Sequence, residues 1–273
     1  MRSAGSRHSK NFDLGERLER YREGIEFDPR AVAGKWLETH GTGCRSVQVD
    51  LGCGKGAFTI ESARRHRDIL FIGIDHEPFC IVYAAQKKVE RQLPNVMFVV
   101  ASAVEIPHLF GTGEVEKIHL NFPTPFPRKK VAHKRVVNYE RLLDYRNVLR
   151  PDGIVQLRTD SQPLRDFTLT QLEIAGYHVI ANAEDAHEDP AFRTEPMTEY
   201  EERLCEQGAT ILGVQAQLGP LPEHVEQTAP LGLVHYLPDD LASMTYVPYG
   251  MGPTVENLLN AQRKQQRREG RRQ

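Results

Sequence analysis

Cysteine is scarce in this sequence, and its four cysteines, at positions 44, 53, 80 and 205, form no C-x-x-C pair. We therefore expect reduced thiols and neither a disulfide framework nor a zinc site. No apolar run approaches the roughly 20 residues that a membrane-spanning helix needs. The first ten residues are polar and basic, with no apolar segment behind them, which predicts that the chain has no signal peptide and is cytoplasmic.

An excess of positive charge is also missing. The sequence holds 35 Lys and Arg against 37 Asp and Glu, a formal net charge of -2. A nucleic-acid ligand must therefore be argued from where cations are concentrated and not from their total. No second His, Cys or acid stands at metal-ligand spacing from His133, so no metal is expected. With 273 residues, 40% hydrophobic and 26% charged, the chain has the composition of a soluble globular protein.

The most prominent stretch runs from Val49 to Ala57, with the sequence VDLGCGKGA. A strand-like run ends there in a turn where glycines at 52, 54 and 56 carry no Cβ, so a ligand can lie directly against the backbone. The helix predicted to follow begins with free N–H groups, which add to such a site.

Three interpretations of this stretch are open. Gly52, Gly54 and Ala57 fit the G-x-G-x-x-A fingerprint of a dinucleotide site. The glycines are also compatible with a tight turn and no ligand. Asp50, two residues before the first glycine, favours the amino acid end of S-adenosylmethionine, since its carboxylate would face a cation there and not a pyrophosphate. A second apolar strand ends about 20 residues further on, in Asp75, whose carboxylate is placed to bind ribose hydroxyls. This acid favours a nucleoside cofactor.

Strand-like and helical segments alternate along the chain, which predicts an α/β fold with a doubly wound, mostly parallel seven-stranded sheet. The predicted strands are 46–51, 71–75, 95–101, 116–122, 153–159, 177–183 and 210–218. The predicted helices between them are 57–67, 78–92, 139–149 and 164–175. A Trp36 side chain packed in the core is expected at the end of a short helix that begins near Asp28.

The chain divides into three predicted segments. Residues 1–27 form a basic and helical lead, 28–218 the main domain, and 219–273 a C-terminal extension with a basic tail. Within the extension, residues 219–253 are predicted to be irregular and 254–273 helical.

The fourth predicted strand is followed by a proline-rich turn and then by a run of cations. Prolines at 123, 125 and 127 stiffen the turn. Ligands of open α/β sheets bind at the carboxyl ends of the strands, so this turn is expected to border the pocket that begins at Asp50. Contact with phosphate accounts better for the cations than a solvated helix start does, because a helix N-terminus disfavours positive charge. The cations are Arg128, Lys129, Lys130, Lys134 and Arg135.

Together these segments resemble the bacterial tRNA (guanine-N7)-methyltransferase family, a class I S-adenosylmethionine-dependent group. The resemblance covers roughly residues 28 to 218. It is carried by Asp28-Pro29, the glycine loop, Gly73-Ile74-Asp75, Ala103-Val104-Glu105, the turn from Phe122 to Lys130 with His133-Lys134-Arg135, Thr159-Asp160 and Thr198-Glu199-Tyr200-Glu201. The glycine loop marks only the superfamily, whereas the proline-basic turn combined with the T-x-Y-E segment is specific.

The resemblance implies a Rossmann-like class I methyltransferase fold, S-adenosylmethionine as cofactor and tRNA as partner of a monomer or homodimer. The methyl group would go to N7 of the variable-loop guanine. The implied cofactor-binding residues are Asp50, Gly52, Gly54, Gly56, Asp75, Ser102, Ala103 and Asn121. The implied substrate-binding residues are Arg128, Lys129, Lys130, Lys134, Arg135, Asp160, Thr198, Tyr200 and Glu201. The implied catalytic residues are Thr124 and Asp160.

The sequence departs from the family at the turn, where the family has Phe-(Pro or Ser)-Asp-Pro-Trp. Thr124 replaces the acid, Phe126 replaces the tryptophan, and Ser102 replaces a second acid near the adenine. Guanine N7 carries a lone pair and no proton, so its methylation needs no general base and depends chiefly on positioning. Asp160 or Glu201 would stabilise the positive charge that develops on the purine.

Two other functions remain open from the sequence. One is a methyltransferase of a small heterocycle over which residues 219–253 close. The other is a tRNA-binding relative without catalysis. A nicotinamide-dependent oxidoreductase is disfavoured, because Asp50 would stand next to a pyrophosphate.

Overall fold

The computed structural model describes residues 13–241 and 244–269, with side chains described as far as residue 264. The start of the predicted basic lead and the last two arginines of the predicted basic tail, Arg271 and Arg272, therefore lie outside the described residues. Among those that are described, no helix is both long and apolar enough to cross a membrane.

A seven-stranded sheet forms the centre of the molecule, in the order β3-β2-β1-β4-β5-β7-β6. Its strands are β1 (Ser46–Leu51), β2 (Ile69–Asp75), β3 (Val96–Val100), β4 (Val115–Asn121), β5 (Leu149–Thr159), β6 (Tyr177–Ala183) and β7 (Leu212–Leu218). Strands β1 to β5 all run parallel to one another, and β7 runs antiparallel to both β5 and β6. The predicted mostly parallel, doubly wound sheet is confirmed.

Helices connect these strands and flank the sheet. They are α1 (Leu14–Arg20), α2 (Trp36–His40), α3 (Ala57–Arg65), α4 (Pro78–Glu90), α5 (Ile106–Leu109), α6 (Tyr139–Val148), α7 (Gln162–Ile174), α8 (Glu199–Glu206) and α9 (Gly252–Glu269). The chain order β1-α3-β2-α4-β3 places the carboxyl ends of β1, β2 and β3 at one edge of the sheet, where open α/β sheets bind ligands.

Two predicted boundaries are wrong, each for a local reason. Trp36 begins α2 instead of ending an earlier helix, because the Glu114 carboxylate accepts hydrogen bonds from the N–H groups of Gly34 and Trp36, both at 2.8 Å. Strand β5 begins at Leu149, before the Pro151-Asp152-Gly153 stop signal. The register of β4 against β5 shifts there, so these residues form an irregularity within the strand and not its boundary.

The two faces of the sheet differ in character. One face carries the main apolar core, in which Trp36 is fully buried as expected. The other carries a row of hydrogen-bonded polar side chains across β1, β4, β5 and β7: Gln48, His119, Gln156 and Gln215, joined at 2.9, 3.3 and 2.7 Å. Burial lowers the pKa of His119 to about 3, so its imidazole is neutral, with Nδ1 accepting from Gln156. Asp50, Asn121 and Arg158 continue this polar face to the edge where the strands end.

The C-terminal extension follows an irregular path as predicted, yet its side chains join the main core. Leu233, Met251 and Val255 are buried in the same cluster as the strands. The extension therefore contributes to the hydrophobic core that the sheet and helices share.

Candidate active site

A cavity of about 440 Å³ lies at the carboxyl ends of β1 and β4. Seven predicted site residues line it: Asp50, Gly52, Gly54, Asn121, Thr198, Tyr200 and Glu201. The fold therefore brings the predicted cofactor loop and the T-x-Y-E segment, which are far apart in sequence, to the same cavity. The cavity is also lined by residues of the predicted motifs that were given no role of their own, namely Cys53, Lys55, Ala57, Phe122 and Glu199. Sequence reasoning missed the remaining lining residues, which are Phe58, Cys80, Lys87, Arg158 and Arg203.

The glycine loop leaves room for a ligand. Gly52 and Gly54 have φ values of 82° and 52°, and beyond the adjoining residues of the chain no heavy atom lies within 4 Å of the position that a Cβ would take at either glycine. Gly56 differs, since a Cβ there would come within 2.7 Å of the Ala84 Cβ. Gly56 is thus required for the packing of α3 against α4, and only the first two glycines border the cavity.

Asp50 places a buried carboxyl group against this cavity, with its residue only 2% exposed. The Thr59 hydroxyl donates to Oδ2 at 2.5 Å, and the Asn121 amide donates to Oδ1 at 3.4 Å. Burial raises the pKa of Asp50 to about 6, against the opposing effect of these two hydrogen bonds. A carboxylate with so few neutralising partners favours a cationic ligand group beside it.

The other predicted cofactor contacts do not line the cavity. Asp75 accepts hydrogen bonds from the backbone N–H groups of Gly54 and Glu77, both at 2.9 Å, and so holds the glycine turn. Ser102 begins a short 3-10 turn with Ala103 and is bonded to the Glu105 carboxylate through its N–H and hydroxyl groups. Contact of Asp75, Ser102 and Ala103 with a nucleoside stays a prediction.

The T-x-Y-E segment begins helix α8. The Thr198 hydroxyl caps the helix by accepting from the N–H of Glu201 at 3.2 Å, and the half-exposed Tyr200 ring meets Phe122 edge-to-face, with centroids 5.4 Å apart. Glu201 is fully buried, and its Oε1 accepts hydrogen bonds from Arg158 and His187. Its second oxygen, Oε2, is buried without a partner among the described residues. A buried carboxylate oxygen without a partner is rare in folded proteins, and here it lies in a residue that borders the cavity.

The proline-rich turn is held in an unusual backbone conformation. Phe122 and Phe126, at its two ends, have φ values of 50° and 43°, which residues other than glycine seldom adopt. Strain of this kind is characteristic of functional sites. Thr124, between them, is exposed and lies outside the 440 Å³ cavity.

Four of the predicted phosphate-binding cations are exposed: Arg128, Lys129, Lys130 and Lys134. None of them forms an ion pair within the described part of the chain. The prediction for Arg135 is wrong, because its side chain is fully buried and donates to the backbone carbonyls of Pro125, Phe126 and Leu231. A buried guanidinium bonded to three carbonyls holds the turn together and does not reach an RNA backbone. The charge pattern alone could not separate Arg135 from its exposed neighbours.

Asp160 follows β5 but borders a different cavity, of about 310 Å³. Its Oδ2 accepts hydrogen bonds from the Tyr246 hydroxyl at 2.6 Å and from the Tyr249 N–H at 3.0 Å. Both donors belong to the C-terminal extension, and nothing in the sequence indicated this contact. No cluster of three or more potential metal ligands occurs in the part of the chain that the structure describes.

Comparison with known proteins gives consistent matches. Residues 44–214 match the model of a family described as "Putative methyltransferase". The tRNA (guanine-N(7)-)-methyltransferase of Geobacillus thermodenitrificans is 34% identical to this chain, over 75% of this chain and 94% of its own length. The protein of the same name from Lactococcus lactis subsp. cremoris is 30% identical, over 76% of this chain and 95% of its own length. The crystal structure of the 16S rRNA methyltransferase KamB superposes with a TM-score of 0.50 at 16% identity, over 81% of this chain and 100% of that one, which shows a likeness of fold.

Proposed function

Because this chain belongs to the tRNA (guanine-N7)-methyltransferase family, we propose that it transfers a methyl group from S-adenosylmethionine to N7 of a guanine in the variable loop of tRNA. One observation carries the proposal: a single cavity has the buried Asp50 carboxyl and the glycine loop on one side and the T-x-Y-E segment on the other. A methyltransferase needs its cofactor and its acceptor in one such space, since the transfer is a direct displacement.

The cofactor side of the cavity fits S-adenosylmethionine. The open space at Gly52 and Gly54 admits a ligand against the backbone, and Asp50 offers a buried carboxylate to its ammonium group. When bound, S-adenosylmethionine supplies a methyl group carried by a positively charged sulfur. Asn121, which lines the same cavity, holds Asp50 in place through its amide.

The substrate side of the cavity fits a purine base. The buried carboxylate of Glu201 borders this side of the cavity. Tyr200 and Phe122 line the cavity beside it and offer aromatic surface to an unpaired base. The carboxylate also favours the positive charge that develops on the purine as the methyl group arrives.

The exposed cations beside the proline-rich turn are our proposed contacts for the tRNA backbone. Arg128, Lys129, Lys130 and Lys134 have no acidic partner in the described residues, so their charge is available to phosphate groups. We propose a cytoplasmic location for the reaction. Whether the enzyme is a monomer or a homodimer stays a prediction, which light scattering tests.

The test is an assay with labelled S-adenosylmethionine and two unmodified tRNA transcripts, one with guanine and one with adenine at the variable-loop target. We expect label on the guanine transcript alone, with strand scission at that nucleotide after borohydride and aniline treatment. Label on neither transcript, despite measurable binding of cofactor and tRNA, would contradict the proposal. That result would favour a non-catalytic tRNA-binding protein, and Thr124→Asp would then test whether the missing acid is responsible.

A methyltransferase of a small heterocycle is disfavoured by the position of the extension. No described residue of 219–264 lines the 440 Å³ cavity, so the extension does not close over it. A free guanine or guanosine as a competing acceptor in the same assay tests this alternative.

A further inference from the structure

The C-terminal extension holds the carboxylate of Asp160. Tyr246 donates through its hydroxyl and Tyr249 through its N–H, and both bonds go to Oδ2. No described group is hydrogen-bonded to the other oxygen, Oδ1. Burial raises the pKa of the Tyr246 hydroxyl, with the hydrogen bond to Asp160 acting in the same direction, so the hydroxyl keeps its proton and remains a donor.

The segment that carries these donors is anchored on both sides. Met251 is fully buried and Val255 nearly so, within the main core. Gly250 lies so close to the proline-rich turn that a Cβ there would be 3.2 Å from Pro125. The N–H of Leu233 donates to the carbonyl of Pro127 at 3.0 Å, and Arg135 bridges the turn to Leu231. The extension is therefore fixed to the turn that the sequence predicts as the substrate side.

The cavity at Asp160 is lined by both the family domain and the extension. Asp160, Gln162 and Leu212 come from the domain, whereas Met244, Tyr246 and Pro248 come from the extension. A substrate group that approaches Asp160 through this cavity must contact extension residues. Tyr249 is 69% exposed as a residue, which leaves its aromatic surface open at the edge of this region.

We propose that the extension completes the tRNA site, with Tyr246 as a positioning residue for Asp160. Tyr246 and the Tyr249 N–H hold Oδ2, so the carboxylate has one orientation and Oδ1 is left to accept a hydrogen bond from the bound nucleotide. A fixed acceptor loses less entropy when substrate binds and stays aligned during the transfer. This inference rests on the proposed function, and it adds a segment that lies beyond the match to the family model, which covers residues 44–214.

The test compares Tyr246→Phe with Tyr236→Phe in the full-length chain. Both changes remove only a hydroxyl from the extension, and the Tyr236 hydroxyl is bonded to the carbonyl of Pro230 and not to Asp160. We expect Tyr246→Phe to lower the single-turnover rate of methyl transfer about tenfold at saturating cofactor and tRNA. The dissociation constant of S-adenosylmethionine and the melting temperature should be unchanged. Tyr236→Phe should keep the wild-type rate.

The outcomes separate this inference from the proposed function. If the wild-type protein does not methylate the guanine transcript, the proposed function is wrong and this inference falls with it. If the wild-type protein is active and both variants match its rate, the inference alone is overturned. A slower Tyr246→Phe variant whose cofactor affinity and melting temperature fall in parallel would also overturn it, since that pattern indicates loss of structure.

Discussion

Burial raises the pKa of Asp50 to about 6, so this carboxyl group titrates within the range in which the protein can be assayed. A cationic cofactor group should bind the ionised form. Between pH 7 and pH 5 the ionised fraction of free Asp50 falls about tenfold, so we expect the affinity for S-adenosylmethionine to fall by about the same factor. Calorimetric titration at several pH values measures this. In Asp50→Asn the affinity should be low at every pH, and a variant with the wild-type pH dependence would contradict the assignment.

The same shift has a consequence for stability. The pKa of Asp50 is higher in the folded than in the unfolded protein, so its contribution to stability is complete below the unfolded value of 3.8 and is lost as the pH rises through about 6. At pH 8 the ionised group therefore destabilises the fold, by no more than about 3 kcal/mol for two pKa units. We expect Asp50→Asn to melt at a higher temperature than the wild type at pH 8, with the difference shrinking towards pH 4. Thermal melting across this pH range tests the sign.

The buried ion pair of Arg158 and Glu201 leads to a third prediction at the residue scale. Both side chains are almost fully buried, so removing one charge leaves the other without compensation. We expect Glu201→Gln to lower the free energy of unfolding by about 3 kcal/mol, the low end of the range for breaking a buried ion pair. The low end applies because Arg158 also interacts electrostatically with Glu195, which still offsets part of its charge in the variant.

Glu61→Gln is the matched control. Glu61 pairs with Arg64 and Arg65 on the surface of α3, where ion pairs are worth less than about 1 kcal/mol. Urea unfolding of the two variants compares these losses directly. Equal losses of unfolding free energy would contradict the prediction that the buried pair matters more for stability than the surface pairs do.

At the scale of elements, the 3-10 turn Lys129–Lys134 presents three exposed lysines on one short segment. If these lysines contact phosphates, changing Lys129, Lys130 and Lys134 to alanine should weaken tRNA binding. It should also reduce the slope of log affinity against log salt by about 2 to 3, since each contact contributes about 0.7 to 0.9. Fluorescence anisotropy at several salt concentrations measures the slope.

Lys35 and Arg91 provide the control for this element, because both are exposed cations outside the segment and outside both cavities. Changing them to alanine should alter the slope far less than the triple change does. A similar slope for both variants would indicate that the affinity for tRNA depends only on the net charge of the protein and not on the position of these lysines.

At the scale of the whole molecule, the extension supplies buried residues to the core and also holds Asp160. A chain ending at Leu218 would lose Leu233, Met251 and Val255 from the main cluster and expose the apolar surface they cover. We expect this truncated chain to be insoluble or to melt well below the full-length protein. A chain ending at Lys264 keeps all three buried residues and should melt as the full-length protein does. Its tRNA affinity decides whether the cations of residues 265–273 bind RNA or only aid solubility.

Most of the fold could be predicted from the sequence because its signals are local. Apolar runs predicted all seven strands within a few residues, except at Leu149, where β5 begins earlier. The two wrong boundaries depend on contacts that are distant in sequence: Glu114 with the start of α2, and the register of β4 with β5. Local patterns carry no information about either.

The sequence by itself determined the family, the order of the strands along the chain and seven of the residues that line the main cavity. It did so because a strand, a glycine turn and an acid lie side by side in the sequence, and because the T-x-Y-E segment is itself a short motif. Only the tertiary structure decided which charges are available. The packing buries Arg135 and Arg158, whereas the cations at 128, 129, 130 and 134 stay exposed. It also brings Tyr246 into contact with Asp160, which lies 86 positions earlier in the sequence. Burial and long-range pairing depend on how the elements pack, and this cannot be read from the spacing of residues in one segment.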